Sequence, residues 1–323
     1  MAASNNATAI IDIQALPSED EHYTEIMTGL RAEQKTINPK FFYDKLGSQL
    51  FEEITQLTEY YPTRTEISIL QQHAAAISRL LGERIHLIEP GAGSCEKVRY
   101  LLEALRPERY LPMDISTDFL QQSVDQLLVE HPWLEVQAIA ADFNHDIDLP
   151  DFPDNDKVVV FYPGSTIGNF EPKQAVDFLR RLSQWVLPDG GILLGVDLEK
   201  DEEILDAAYN DADGITEQFN LNVLNNINSL IDSNFEVDNF SHYAYYNQTK
   251  HRIEMHLRAD RSHQVNCGGE RIEFEAGETI HTENSYKYTV EGIAELARQA
   301  GLRLQQNWCD KEGLFSMNYL VNA

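Results

Sequence analysis

The sequence predicts an α/β protein: a parallel sheet covered by helices on both faces, interrupted by a second, α+β region. Three observations predict it. Short, nearly uninterrupted apolar runs alternate with helical stretches between residues 63 and 197, as they do when strands are buried on both sides and joined by crossover helices. Segments with period-two alternation, separated by Asn, Gly and charged residues, follow between 243 and 283, as in antiparallel strands. A helix and two more strands then close the chain, which makes the antiparallel region an insertion.

The elements follow in order. Residues 1–22 are small, polar and acidic; they read as an arm, either loose or docked on the body. Apolar residues recur at helical spacing over 23–30, and an apolar, aromatic segment covers 41–57. Thr63 or Thr65 could cap a helix over 66–81, stopped by Gly82. Strands are expected at 85–88, 110–113, 134–140, 158–162 and 192–196, with helices at 94–105, 117–130 and 173–186 and a turn at 188–191. Residues 201–230 look helical and polar, and Asn222, Asn225 and Asn226 read as its polar face. Antiparallel strands are expected at 243–246, 253–257, 272–274 and 279–283, then a helix over 289–300 and strands at 302–308 and 314–321.

Composition bounds the function. The chain has 323 residues, 42% of them hydrophobic, enough for a substantial core and for two domains. Asp and Glu number 53 against 25 Lys and Arg, a net charge of −28. Such a surface repels phosphate backbones and anionic lipid, so neither a nucleic acid nor a membrane is expected as partner. Cys95, Cys267 and Cys309 are scattered and form no zinc spacing, so no metal and no disulfide framework are expected. With no signal-peptide pattern and no membrane-length apolar run, the expectation is a soluble, cytoplasmic protein. His86, on an apolar strand, reads as a hydrogen-bonded core histidine.

Ligands of open α/β sheets bind beyond the carboxyl ends of the strands, and four such ends carry suggestive residues. The first runs Glu89-Pro90-Gly91-Ala92-Gly93-Ser94, where glycines let backbone approach a ligand. The second ends at Asp114, placed to accept from ribose hydroxyls. The third ends at Asp142-Phe143, a carboxylate and a ring suited to an adenine, and the fourth opens the polar loop from Gly164 to Phe170. The third glycine of a dinucleotide fingerprint is missing, and so is a Walker loop. Glu89 would repel a pyrophosphate but suits a cationic ligand, which favours S-adenosylmethionine over NAD or ATP. Each residue alone also has an ordinary structural reading: a tight turn, a helix cap, a loop acid, a core ring. Four together at successive strand ends point to a site.

The wider pattern resembles the S-adenosylmethionine-dependent histidine Nα-methyltransferases of ergothioneine biosynthesis. The matching stretches cover nearly the whole chain after the arm. They include Phe41-Phe42-Tyr43-Asp44, Leu50 to Thr55, Glu59 to Glu66, Gly91-x-Gly93 with Glu96-Lys97, and Gly164 to Asn169. They continue with Tyr209-Asn210-Asp211, Ile253-Glu254-Met255 and Thr282-Glu283-x-Ser285-x-Lys287. The chain departs from the family's common cofactor loop at Pro90 and carries Tyr162-Pro163 before Gly164.

The resemblance implies a Rossmann-like class I methyltransferase core of residues 63–197 plus 288–323, and a substrate-binding domain of 23–62 plus 198–287. It implies that Gly91, Gly93, Ser94, Lys97, Asp114, Asp142 and Phe143 bind S-adenosylmethionine, with S-adenosylhomocysteine as product. It assigns the substrate carboxylate to Asn169 and Tyr209 with Tyr60 nearby, and the imidazole to Glu283 and Ser285 with Met255 and Phe51 lining the pocket. Tyr43 and Gly164 fall near the α-amino group, and Tyr43 through a water is a candidate proton relay. The implied activity is threefold methylation of L-histidine to hercynine; a monomer is expected. An N-methyltransferase of another aromatic amino acid or amine, and a non-catalytic binding module, remain as alternatives.

Overall fold

The computed structural model describes residues 10–14, 16–145, 147–186 and 189–323. The chain begins with β1 (Ile10–Ile13), α1 (Glu19–Leu30), β2 (Lys35–Thr36), a 3-10 turn (Pro39–Phe42), α2 (Lys45–Gln56) and α3 (Tyr61–Leu81). The alternating part is β3 (Ile85–Pro90), α4 (Arg99–Leu105), β4 (Arg109–Asp114), α5 (Thr117–Glu130), β5 (Gln137–Ala140), β6 (Lys157–Tyr162), α6 (Pro172–Trp185) and β7 (Gly191–Asp197). Two helices follow, α7 (Glu202–Tyr209) and α8 (Ile215–Ile231). Five strands come next: β8 (Phe240–Asn247), β9 (Arg252–Ala259), β10 (His263–Cys267), β11 (Glu270–Phe274) and β12 (Thr279–Tyr286). α9 (Val290–Gln299), β13 (Leu302–Cys309) and β14 (Phe315–Asn322) complete the chain.

These elements divide into two compact units. The first holds the described part of Met1–Leu16 with Arg64–Leu198 and Tyr288–Ala323; the second holds Pro17–Thr63 and Glu199–Lys287.

The first unit is built on an eight-stranded sheet in the order β1-β5-β4-β3-β6-β7-β14-β13. The strands β1, β5, β4, β3, β6 and β7 are mutually parallel; β14 adds antiparallel to β7, and β13, antiparallel to β14, runs with the rest. β3 is buried along its whole length, as a strand covered on both faces must be. One face packs the side chains of α3, α4 and α5, among them Ile77, Leu101 and Leu120. The other packs α6 and α9 through Phe178, Leu182, Ile293 and Leu296. From β3 the chain runs outward through β4 and β5 and then returns to β6 on the other side. The rim between β3 and β6 is therefore the topological switch point, where such sheets bind ligands.

The structure revises several sequence expectations here. Of the segment 1–22, Ile10–Ile13 docks on the body as an edge strand against β5, one of the two readings left open, and Ser18 caps α1 through a capping box. Residues 1–9 and 15 lie outside the described residues, as does Pro188 of the expected turn. α3 starts at Tyr61 rather than after a Thr63 or Thr65 cap, because Pro62 falls in the first turn, where its missing N–H is no loss. α4 starts at Arg99, not Ser94; a series of turns fills Glu96 to Val98. His86 pairs with Asp156 at 3.0 Å.

The second unit centres on a four-stranded sheet in the order β2-β12-β9-β8 with α7 and α8 against it. The strand β10 was not foreseen. It pairs with β11 in a hairpin closed by Gly268 and Gly269, both at positive φ, as a two-residue turn requires. The polar residues of α8 are only partly a solvated face. Asn225 is exposed, but Asn222 is buried on Asp44 at 2.8 Å and Asn226 donates to the Phe41 carbonyl at 2.8 Å. Both amides, one buried and one half-buried, are hydrogen-bonded, as polar groups withdrawn from water must be.

Candidate active site

At the rim of the first unit, the loop after β3 turns through Gly91 (φ +69°) and Gly93 (φ +53°), left-handed positions that glycine adopts without strain. A Cβ on Gly91 would stand 3.3 Å from the Phe143 ring. The loop after β3 and the residue after β5 are therefore in contact. Asp114 binds this loop to the end of β4: its carboxylate accepts from Gly93 N at 3.0 Å and Ser116 N at 2.9 Å. Its burial raises the carboxyl pKa above the usual range, and these backbone bonds pull it back. Asp142, just past the end of the neighbouring strand β5, is buried and accepts from Asn144 N at 2.9 Å. Phe143 packs edge-on to Tyr162 and against Phe178.

A residue the motif reading left without a role organises the rest of this rim. Glu66, on α3, is fully buried, and both its oxygens lie 3.0 Å from Gly164 N. Lys97 Nζ is 2.8 Å from the same carboxylate. A Cβ on Gly195 would come within 2.1 Å of Glu66 Oε1, so only glycine leaves room for this acid. Glu66 thus links the loop after β3 to the loop after β6. In that second loop Gly164 (φ +82°) and Ser165 (φ +57°) are both left-handed, and Ser165 Oγ accepts from Asp197 N at 2.9 Å. A non-glycine residue in that region is a strained position of the kind found at functional sites. Asn169 ends the short 3-10 turn that follows. The sequence signal that marks Glu66 is its place at the end of the Glu59 to Glu66 stretch that carries the resemblance.

Glu89 lies buried behind the glycine loop and accepts from the Tyr110 hydroxyl. Burial pushes its pKa up to about 8, against the opposing pulls of Tyr110 and Lys97. Cys95 is buried in the same neighbourhood, and burial drives its thiol pKa far upward. It is an inert thiol.

The second unit gathers the other group of expected residues. Tyr43, Phe51, Tyr60 and Tyr209 form a chain of edge-to-face rings with centroids 5.7, 6.3 and 6.4 Å apart. The Tyr209 hydroxyl reaches Ser285 Oγ at 2.8 Å, so this tyrosine belongs to the Ser285 cluster. On β12, Glu283 and Ser285 are two residues apart and share a face. Met255 lies opposite Glu283 in the register, and Ile253 opposite Ser285. Desolvation raises the Glu283 pKa to about 7, with Lys287 pulling it down.

Among the described residues, Glu254, His256 and His281 also converge within metal-ligand reach. There the Glu254 carboxylate is engaged by Arg252 (2.7 Å), Tyr245 (2.8 Å) and Asn247 (3.0 Å). A guanidinium already neutralises the acid a cation would need.

The rim fits S-adenosylmethionine in its chemistry. The glycine loop leaves space, Asp114 and Asp142 are acceptors at adjoining strand ends, and buried acids rather than cations dominate the site. The family model for histidine-specific, SAM-dependent methyltransferases matches residues 22–322. The chain belongs to that family. The family's Rossmann-like class I methyltransferase core is the doubly wound first unit. Histidine N-alpha-methyltransferase of Mycolicibacterium smegmatis is 39% identical over 303 residues, 92% of this chain and 94% of that one. Its namesake in Mycobacterium tuberculosis is 37% identical over 300 residues, 91% and 92% of the two chains. Ergothioneine biosynthesis protein 1 of Neurospora crassa is 30% identical over 321 residues, 93% of this chain and 35% of that one. No helix among the described residues is long and apolar enough to cross a membrane.

Proposed function

We propose that this chain transfers methyl groups from S-adenosylmethionine to the α-amino nitrogen of L-histidine, three times over, giving hercynine for ergothioneine biosynthesis. The observation that carries this reading is the placement of Glu283 and Ser285 on one face of β12. An acceptor and a hydroxyl at that spacing suit the two ring nitrogens of an imidazole.

In this reading the first unit is the cofactor domain, with Gly91, Gly93, Ser94, Lys97, Asp114, Asp142 and Phe143 as its contacts. The second unit is the substrate-binding domain. Met255 and Phe51 line the ring's surroundings, and Asn169 and Tyr60 serve the carboxylate end; Tyr209, expected there too, instead gives its hydroxyl proton to Ser285 and so supports the imidazole pair. Tyr43 and Gly164 serve the amine. When bound, S-adenosylmethionine supplies a methyl group on a sulfonium. Each transfer forms an N–C bond, breaks an S–C bond and requires a proton to leave the nitrogen beforehand. The residues' task is positioning the lone pair in line with the methyl carbon. Neutral amides and phenols orient the substrate without adding a charge beside the sulfonium. In this reading Tyr43, a member of the ring chain, passes the proton to water. No metal enters this chemistry. The net charge of −28 argues against nucleic-acid and membrane partners; we place the enzyme in the cytoplasm and take it to be a monomer.

The test is the mass of the product from purified protein, S-adenosylmethionine and each aromatic amino acid. Histidine heavier by three methyl groups is expected. Methylation of another amino acid in its place, or no transfer, would overturn the assignment.

A further inference from the structure

Lys287 stands two residues beyond Ser285, and its side chain is buried, 3% exposed. Its Nζ is 2.8 Å from Ser285 Oγ and 3.4 Å from the Tyr209 hydroxyl, and it lies over the Tyr209 ring at 5.1 Å. An ammonium carries protons and no lone pair, so towards a hydroxyl it can only donate. One lone pair of Ser285 Oγ is therefore engaged by Lys287. The Tyr209 hydroxyl donates to the same oxygen at 2.8 Å; a phenol is the more acidic of the two hydroxyls. With both lone pairs engaged, the capacity left to Ser285 is its own proton. The positive charge beside Oγ turns that proton away from Lys287 and out of the cluster.

We propose that Lys287 is a specificity-determining positioning residue: by occupying Ser285 Oγ it makes that hydroxyl a fixed donor, so that the site takes an unprotonated ring nitrogen at Ser285 and a ring N–H at Glu283. The proposal rests on the reading of Glu283 and Ser285 as the imidazole-binding pair. Its consequence is chemical discrimination. A neutral imidazole in one tautomer satisfies both groups. An imidazolium presents a second N–H to an oxygen with no free lone pair. A pyrrole ring presents C–H there and leaves a buried hydroxyl proton unpaired. A site built around a polar contact rejects analogues that lack it far more strongly than a merely apolar pocket does.

The experiment measures Kd by calorimetry, in the presence of S-adenosylhomocysteine, for L-histidine and for 3-(pyrrol-2-yl)- and 3-(pyrrol-3-yl)-L-alanine. The two pyrroles each keep one N–H and lack the acceptor nitrogen. The full-length chain and Lys287→Met, Lys287→Arg, Lys287→Gln, Ser285→Ala and Ser285→Ala/Lys287→Met are compared. The unmodified chain is expected to prefer histidine to the better pyrrole by roughly ten- to hundredfold, the range for one unpaired buried polar group. Lys287→Met should shrink that preference to within about threefold, Lys287→Arg should retain it, and in the Ser285→Ala background the lysine change should leave the ratio alone. The ratio compares ligands on one sample, so a loss of folded protein cancels. Should Lys287→Met fail to fold, the Gln and Arg variants carry the test, with preference lost in the first and kept in the second. Full preference in Lys287→Met, or in Lys287→Gln, overturns the proposal while leaving the histidine assignment intact. No histidine product from the unmodified chain would instead sink that assignment and this inference with it.

Discussion

The two units hold reactive groups by opposite means. In the first, carboxylates are fixed by the backbone: Asp114 by the N–H groups of Gly93 and Ser116, Glu66 by that of Gly164. In the second, side chains fix one another, with Tyr209, Ser285 and Lys287 in one cluster and Tyr43, Phe51, Tyr60 and Tyr209 in one chain of rings. Backbone positions are set by topology and tolerate many side chains around them. Side-chain clusters depend on every member. The first arrangement suits a cofactor shared by many enzymes, and the second suits recognition of one substrate.

The sharpest way to break this comparison is Glu283→Ala. It should lower kcat/KM for histidine by about 2–4 kcal/mol, roughly 30- to 1,000-fold, with S-adenosylmethionine affinity unchanged. In the unmodified chain kcat/KM should rise with pH through about 7, because the ionised Glu283 that accepts the ring N–H fills only above its raised pKa. Stopped or mass-detected assays across pH check both. A cofactor affinity that falls in step would show that the two units do not divide the work.

A smaller effect is expected from Asp114→Asn. The substituted amide still accepts one backbone bond but loses the charge, so S-adenosylmethionine should bind roughly ten- to hundredfold more weakly by calorimetry. The preference for histidine over other amino acids should hold. A changed substrate preference would blur the line between the units.

The smallest effect concerns Glu89, whose folded pKa of about 8 lies above the unfolded 4.5. The folded state then holds a proton that the unfolded state releases, so this acid lowers stability as pH rises from about 4.5 through about 8. Glu89→Gln keeps an acceptor for Tyr110 and removes that slope. Its melting temperature should match the unmodified chain near pH 5 and exceed it near pH 8. An unchanged gap across pH would mean that Glu89 is ionised in the folded state and that the rim is more polar than its burial implies.

Much of the first unit was legible in the sequence because its signals are local. β3 and β6 are apolar runs, and α5 was bounded to the residue. The strand-end rule then located Gly91, Asp114, Asp142 and Gly164 before any contact was known. The start of α4 was misread because Ser94 looks like a cap, while the chain needs five more residues of turn to bring Lys97 to Glu66. In the second unit most of the strands could be read, β10 excepted among the longer ones, but their partners could not. β12 lies between β2 and β9, pairings over long sequence separation that no local pattern encodes. The resemblance supplied Glu283, Ser285 and Tyr209. That Tyr209 and Lys287 meet at Ser285 is a property of the folded pairing alone. The asparagines of α8 misled because polarity on a helix reads as exposure, whereas Asn222 is buried on a partner 178 residues away in sequence.

The place of β14 has a consequence for biosynthesis. It lies inside the sheet, between β7 and β13, yet in the chain it follows α7 to β13. While the ribosome is still adding residues 199 to 314, β7 is left with one naked edge, an invitation to illegitimate pairing with other nascent chains. The sheet can close only once Phe315–Asn322 has been made, so until then this edge is the surface a chaperone would have most reason to shield.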